Sequence, residues 1–224
     1  MITTKYIYES IHRVNLSGKR HYATPDGNKL PSVTTILSAT KPAESVEALA
    51  NWRKRVGEKN AQAITTEAAG VGTVMHKMLE VHCKGEVKPA GSNMVQQVAR
   101  RMADQVISQG LSNMTEYWGL EVPLYFPGLY AGTTDLVGCW KGEPVIGDFK
   151  QTNKPKKREW VDDYFLQLSA YIMAHNEVHG TDIKRGVVMM CSRDCQYQEF
   201  ILEGEELDLY QTKWIDRVEQ YYNL

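Results

Sequence analysis

Gly132-Thr133-Thr134-Asp135-Leu136-Val137-Gly138 is followed closely by Pro144-Val145-Ile146-Gly147-Asp148-Phe149-Lys150. Both segments are rich in β-formers and bounded by Gly or Pro, the pattern of strands. Trp140-Lys141-Gly142-Glu143 lies between them and predicts a tight hairpin. A turn centred on Lys141 and Gly142 pairs residues whose numbers sum to 283, which sets Asp135 opposite Asp148. Directly opposed side chains share a sheet face, with Cβ atoms about 4.5–5.5 Å apart. Lys150, two residues beyond Asp148, joins that face.

Two close carboxylates repel, and burying them unpaired is costly. A divalent cation relieves both problems, and hard oxygen donors suit Mg²⁺ or Mn²⁺. A lysine beside such a centre can hold a water or steady the charge that develops on a phosphate. The plainer alternative is a structural Asp–Lys pair on an exposed sheet face, which stabilises little.

Gly-Thr-Thr-Asp135 with Asp148-Phe149-Lys150 resembles the core motif of the PD-(D/E)XK nucleases. Gly72-Thr73-Val74-Met75-His76 upstream and Gln167-Leu168-Ser169-Ala170-Tyr171 downstream are similar to motifs of the RecB-like exonuclease branch. Leu30-Pro31-Ser32-Val33-Thr34-Thr35-Ile36-Leu37 extends the likeness to the mitochondrial genome maintenance type, with its phage and bacterial relatives. The likeness runs from about Tyr22 to the C-terminal helix.

This resemblance implies an α/β (α+β) fold: a restriction-endonuclease-like core, with a central mixed sheet flanked by helices and a helical N-terminal cover. It implies a Mg²⁺- or Mn²⁺-dependent deoxyribonuclease, an exonuclease preferring single-stranded DNA with free ends. His76, Asp135, Asp148 and the backbone carbonyl of Phe149 would bind the metal. Lys150 would orient the nucleophile, and Gln167 and Tyr171 would help place it. Related nucleases carry an acid just before the Asp135-type strand, which makes Glu121 a further candidate ligand. A double-strand exonuclease or an endonuclease of recombination or repair would use the same metal site. A non-catalytic DNA-binding module would not need Asp135, Asp148, Lys150 and Gln167 together.

The 224 residues are read as one nuclease domain, with 1–64 as an N-terminal hairpin and helices over the site and 65–224 as the nuclease core. A formal net charge of −1 leaves any DNA contact to local basic clusters. No apolar run approaches the roughly 20 residues of a membrane span, so no membrane partner is expected. The N-terminal residues show neither a signal nor a transit pattern, and a cytoplasmic protein of a bacterium or phage-infected cell is expected. Cys83, Cys139, Cys191 and Cys195 do not match the one-then-three spacing that the resemblance requires for an iron–sulfur cluster. Four free thiols are expected instead.

A short strand is expected within Lys5–Leu16, then a hairpin strand at 20–24. Ser32 caps a short helix from Val33, and with Thr34 and Thr35 offers hydroxyls to a phosphate. A helix over 44–59 carries an apolar face of Val46, Leu49, Trp52 and Val56 and a basic side that includes Arg53. Further helices are expected over 65–83, 92–109, 159–179 and 204–222, and a last hairpin over 185–202. Lys154, Lys156, Lys157 and Arg158 follow the Lys150 strand directly and are candidate phosphate contacts. Tyr22 and Trp52 are candidates for base stacking.

Overall fold

The computed structural model describes residues 2–89 and 91–224. The chain begins with an antiparallel sheet of β1 (His12–Leu16), β2 (Lys19–Ala23) and β3 (Lys29–Pro31). Ser17 and Gly18, both at positive φ, make its first turn. Helix α1 (Val33–Ala39) starts as expected: the Ser32 hydroxyl accepts the Thr35 amide at 3.0 Å. Helix α2 (Ala43–Val56) buries none of its residues. Its expected core face is open, with Val46 52% and Leu49 45% exposed, because the helix packs along α3 and lies off the main sheet.

Helix α3 (Glu58–Cys83) begins ahead of the expected Thr65 and runs through the 64/65 boundary. It tolerates Gly70 and Gly72 within its length, and a Cβ on Gly72 would come 3.3 Å from the Gln151 side chain. That glycine therefore lets the helix lie close to the sheet. Helix α4 (Met94–Gln109) is capped by Asn93, whose side chain accepts the Gln96 amide at 2.9 Å. Ser92, where the helix is expected to begin, instead donates its amide and hydroxyl to the Gln96 side-chain oxygen.

The main sheet holds β4 (Met114–Phe126), β5 (Tyr130–Trp140), β6 (Glu143–Thr152), β7 (Arg185–Ser192) and β8 (Tyr197–Glu203) in that order. Helix α5 (Asp162–His179) follows a 3-10 turn at Arg158–Trp160 and carries the chain from β6 to β7, the parallel pair in a sheet whose other neighbours are antiparallel. Helix α6 (Gly204–Tyr222) ends the fold and buries Leu207, Tyr210, Trp214 and Val218. The β5–β6 hairpin has the expected register, from Trp140 opposite Glu143 to Leu136 opposite Gly147. Lys141 and Gly142 have φ of 50° and 84°, as a two-residue type I′ turn requires.

Strand alternation divides the core in two. Val137, Ile146, Val188 and Met190 pack beneath α5 and α6. Leu136, Val145, Phe149, Val187 and Met189 pack against α3 and α4. The N-terminal sheet docks through Tyr22, Leu30 and Ala131, and through a bridge from Ser32 to Ala131. The cover nearest the site is thus β2, β3 and α1.

Candidate active site

The hairpin forks where the two motif aspartates stand. The last paired residues are Leu136 and Gly147. Beyond them β5 stays with β4 back to Tyr130, while β6 continues along β7 to Thr152. Asp135 and Asp148 are the first residues past the fork. Across it, Asp135 Oδ2 accepts the Phe149 N–H at 2.6 Å. A carboxylate thereby satisfies a backbone donor near the end of the β5–β6 ladder.

Helix α3 brings His76 to the same point. Its Nδ1 lies 3.2 Å from Asp135 Oδ1, and its ring meets Phe149 edge-on at 6.0 Å. From the other side, β4 brings Glu121, which the pairs Leu120–Leu136 and Val122–Thr134 set beside Asp135. Donor atoms of His76, Glu121 and Asp135 lie within 4.8 Å of one another. Glu121 has a φ of 49°, a strained backbone for a non-glycine residue.

Asp148 is buried and paired with the Lys150 ammonium. That contact aside, its Oδ2 has no hydrogen-bond partner. Lys150 Nζ also donates to Gln167 Oε1 at 3.1 Å, and Gln167 Nε2 donates to the Tyr171 hydroxyl at 3.2 Å. Gln167 and Tyr171 lie one turn apart on α5. The Tyr171 ring is seated on Gly132, where a Cβ would come 2.7 Å from ring carbon Cε1. The sequence-expected residues His76, Asp135, Asp148, Lys150, Gln167 and Tyr171 are therefore one connected group, and Phe149 contributes its amide to it.

The electrostatics separate the two aspartates. Burial alone would raise the Asp135 pKa, but the charge and hydrogen bond of His76, then Lys150 and the Phe149 amide, bring it below the usual carboxylate value. Asp148 is raised by burial and by the Asp135 charge, which outweigh Lys150. Glu121 is raised by burial and by Asp135. Burial works to lower His76 and Lys150, yet the aspartates hold both above their ordinary values. Three crowded carboxylates, one of them with an oxygen engaged only by Lys150, together with an imidazole make a donor set that fits Mg²⁺ or Mn²⁺.

The expected DNA contacts fare unequally. The Ser32 hydroxyl is buried and engaged as a cap, and the Thr35 hydroxyl donates to the Arg20 carbonyl at 2.8 Å. Thr34 is exposed and lines the cleft of about 260 Å³ that holds Glu121, Gln167 and Tyr171. Arg53 is paired with Glu58 on the outer surface. Arg158 binds Glu206 and the Ile201 carbonyl, so its donors turn toward α6 and β8. Lys157 lies 3.8 Å from Glu159. Lys156 shares the Tyr164 ring with Lys150, at 5.4 and 5.2 Å, which makes it the basic-loop residue tied to the site. Lys154 is exposed. Arg20 also lines the cleft, and no local sequence motif marked it.

No family model matches the chain. Over 204 residues, 87% of its length, it is 28% identical to mitochondrial genome maintenance exonuclease 1 of Mus musculus. Over 207 residues it is 25% identical to the Homo sapiens protein of the same name. The chain is related to PD-(D/E)XK-like exonucleases. It spans 59% of the mouse protein and 58% of the human one. Among solved structures it is similar to LHK-Exo of Laribacter hongkongensis in complex with dAMP. There the identity is 14% and the TM-score 0.37, over 66% of this chain and 76% of that one. A likeness of that size adds no weight to the site assignment.

Proposed function

We propose that the chain is a divalent-metal-dependent exonuclease that hydrolyses phosphodiester bonds of single-stranded DNA from free ends. The observation that carries this reading is the convergence of His76, Glu121 and Asp135 at the strand fork, beside the Asp148–Lys150–Gln167–Tyr171 series. The relatives, both named as exonucleases, support the reaction class. His76, Glu121, Asp135 and Asp148 would hold Mg²⁺ or Mn²⁺, with the Phe149 carbonyl as a further donor. When bound, the ion supplies positive charge against the scissile phosphate and a water of lowered pKa.

The side chains have distinct tasks. Lys150 presents a fixed ammonium toward the reacting phosphate and stabilises charge that grows in the transition state. Gln167 fixes Lys150 through its amide oxygen, and Tyr171 fixes Gln167 through its hydroxyl. Thr34, Lys154 and Lys156 would contact neighbouring phosphates. Tyr22 lines the same cleft as Gln167 and Tyr171, but it is 8% exposed and its ring packs with Leu30 and Ala131, so it holds the N-terminal sheet in place and does not stack a base.

The test is digestion of end-labelled linear single-stranded DNA, circular single-stranded DNA and blunt duplex, each with Mg²⁺, Mn²⁺ or EDTA. Linear single strands should be shortened with either metal and survive in EDTA, and circles should remain whole. Cut circles would make the chain an endonuclease, and duplex digested as fast as single strands would remove the strand preference.

A further inference from the structure

Strand register places Arg13 opposite Tyr22 and Asn15 opposite Arg20, so these four side chains share one face of the β1–β2 hairpin. Tyr22 and Arg20 line the cleft beside Gln167 and Tyr171. Arg20 and Thr34 also line a second cleft of about 540 Å³, whose wall continues through Arg13, Lys19, Thr35 and Ser38. The two clefts therefore share a wall and form one path leading away from the strand fork.

The charged side chains of the second cleft have one sign, while Glu121 lines the first cleft at its fork end and the chain-terminal Leu224 lies on the wall of the second. Arg13, Lys19 and Arg20 line the second cleft, and no Asp or Glu side chain does. None of the three is in an ion pair among the described residues. In contrast, a cleft of about 480 Å³ beside α5 and α6 is lined by Glu159, Asp162, Asp163 and Asp216 against Lys213 and Arg217, an acidic balance that does not favour a polyanion. The basic path is also held in place. The Arg20 carbonyl accepts the Ser32 amide at 3.0 Å and the Thr35 hydroxyl at 2.8 Å, which fixes β2 to the start of α1.

We propose that the Arg13–Arg20 face of the β1–β2 hairpin, with Thr34 and Ser38 of α1, is the track that holds the phosphate backbone of the DNA strand on one side of the reacting phosphate. This deepens the proposed function and rests on it. Two exposed guanidiniums, each able to fork onto a phosphate, are suited to this task. The track gives the chain a nucleic-acid surface despite its net charge of −1.

The test compares wild type, Arg13→Gln/Arg20→Gln and Arg13→Lys/Arg20→Lys, using end-labelled oligo(dT) of 20 and 4 nucleotides with Mg²⁺ over about 50–200 mM KCl. Both arginines are exposed, so the melting temperatures should match. The glutamine variant should lose about tenfold in kcat/KM on the 20-mer, with less loss on the 4-mer. Its salt dependence should be shallower by about 1.4 in log–log slope, for two single-strand phosphate contacts. The lysine variant should restore the salt slope and recover part of the loss, because a point charge keeps the attraction but not the fork. Unchanged kcat/KM and slope in the glutamine variant, or a lysine variant as poor as glutamine, would overturn the track while wild-type cleavage left the nuclease reading intact. A wild type that cuts no DNA would remove that reading, and the track with it.

Discussion

Glu121 holds a φ of 49° within a strand, a conformation that costs a non-glycine residue about 1–3 kcal/mol. Strain of this kind persists where the surroundings demand it, and here the side chain stands with His76 and Asp135. If these residues bind metal, Mn²⁺ should raise the stability of the folded chain, by about 2.7 kcal/mol at one hundred times its Kd. Glu121→Gln and His76→Ala should each lose most of that rise in thermal melts with and without Mn²⁺, whereas a rise of wild-type size in both would exclude them as ligands. Lys150 makes a separate claim. Lys150→Ala should bind DNA nearly as wild type but lose about 10²–10³-fold in turnover at saturating DNA, because its charge is needed most in the transition state. Recovery of its rate by saturating DNA would reduce Lys150 to a binding residue. Asp135, Asp148 and Lys150 were legible in the sequence because period-two alternation and a tight turn set their common face. Glu121 carried only a weak signal, since a left-handed residue inside a strand leaves no trace in residue type.

At the scale of elements, the site depends on the β5–β6 fork and on how closely α3 and α5 approach it. The sequence showed the hairpin and its register. It did not show the fork, which arises because β6 continues along β7 while β5 stays with β4. Nor did it show the open face of α2: apolar spacing predicts a helix face, and only tertiary placement decides whether anything covers that face. Glycines test the close approaches. A Cβ on Gly132 would press on the Tyr171 ring at 2.7 Å, and Tyr171 holds Gln167, which holds Lys150. Gly132→Ala should cost about 1–3 kcal/mol, as overpacking does, and should lower turnover more than DNA affinity. Gly70 in α3 has no atom within 4 Å of such a Cβ, and it lacks a positive φ. Gly70→Ala should therefore stabilise the chain by up to about 1 kcal/mol. Urea melts and kinetics on the two variants would check both, and a Gly132→Ala chain with wild-type turnover would break the proposed link from Tyr171 to Lys150.

At the scale of the molecule, the helix that presents Gln167 and Tyr171 is anchored at its other end by the N-terminal segment. Tyr8 donates to His175 Nε2 at 3.2 Å, and the Tyr6 ring meets His175 edge-on at 5.1 Å. Thr181 donates its hydroxyl hydrogen to Asn176 at 2.7 Å, so it accepts from His175 Nδ1–H at 2.8 Å. Both ring nitrogens of a neutral His175 are thus satisfied. Burial, and next His179, push its pKa down to about 4. Between about pH 6.5, where an unfolded histidine titrates, and pH 4, the unfolded chain therefore binds the extra proton. This contribution is complete above pH 6.5 and is lost as the pH falls toward 4, to a total of about 3 kcal/mol. His179, lowered by burial, works in the same direction. His76 is raised, so its own contribution is complete below pH 6.5 and fades as the pH rises through its folded value, outside this window. Unfolding free energies measured by urea at pH 7.5, 6, 5 and 4.5 should fall steadily in wild type. His175→Gln should be less stable at pH 7.5, having lost the fitted ring, yet should show a much flatter decline toward pH 4.5. Equal slopes in the two chains would mean that acid acts elsewhere and that the Tyr8–His175 contact does not set the acid limit of the fold.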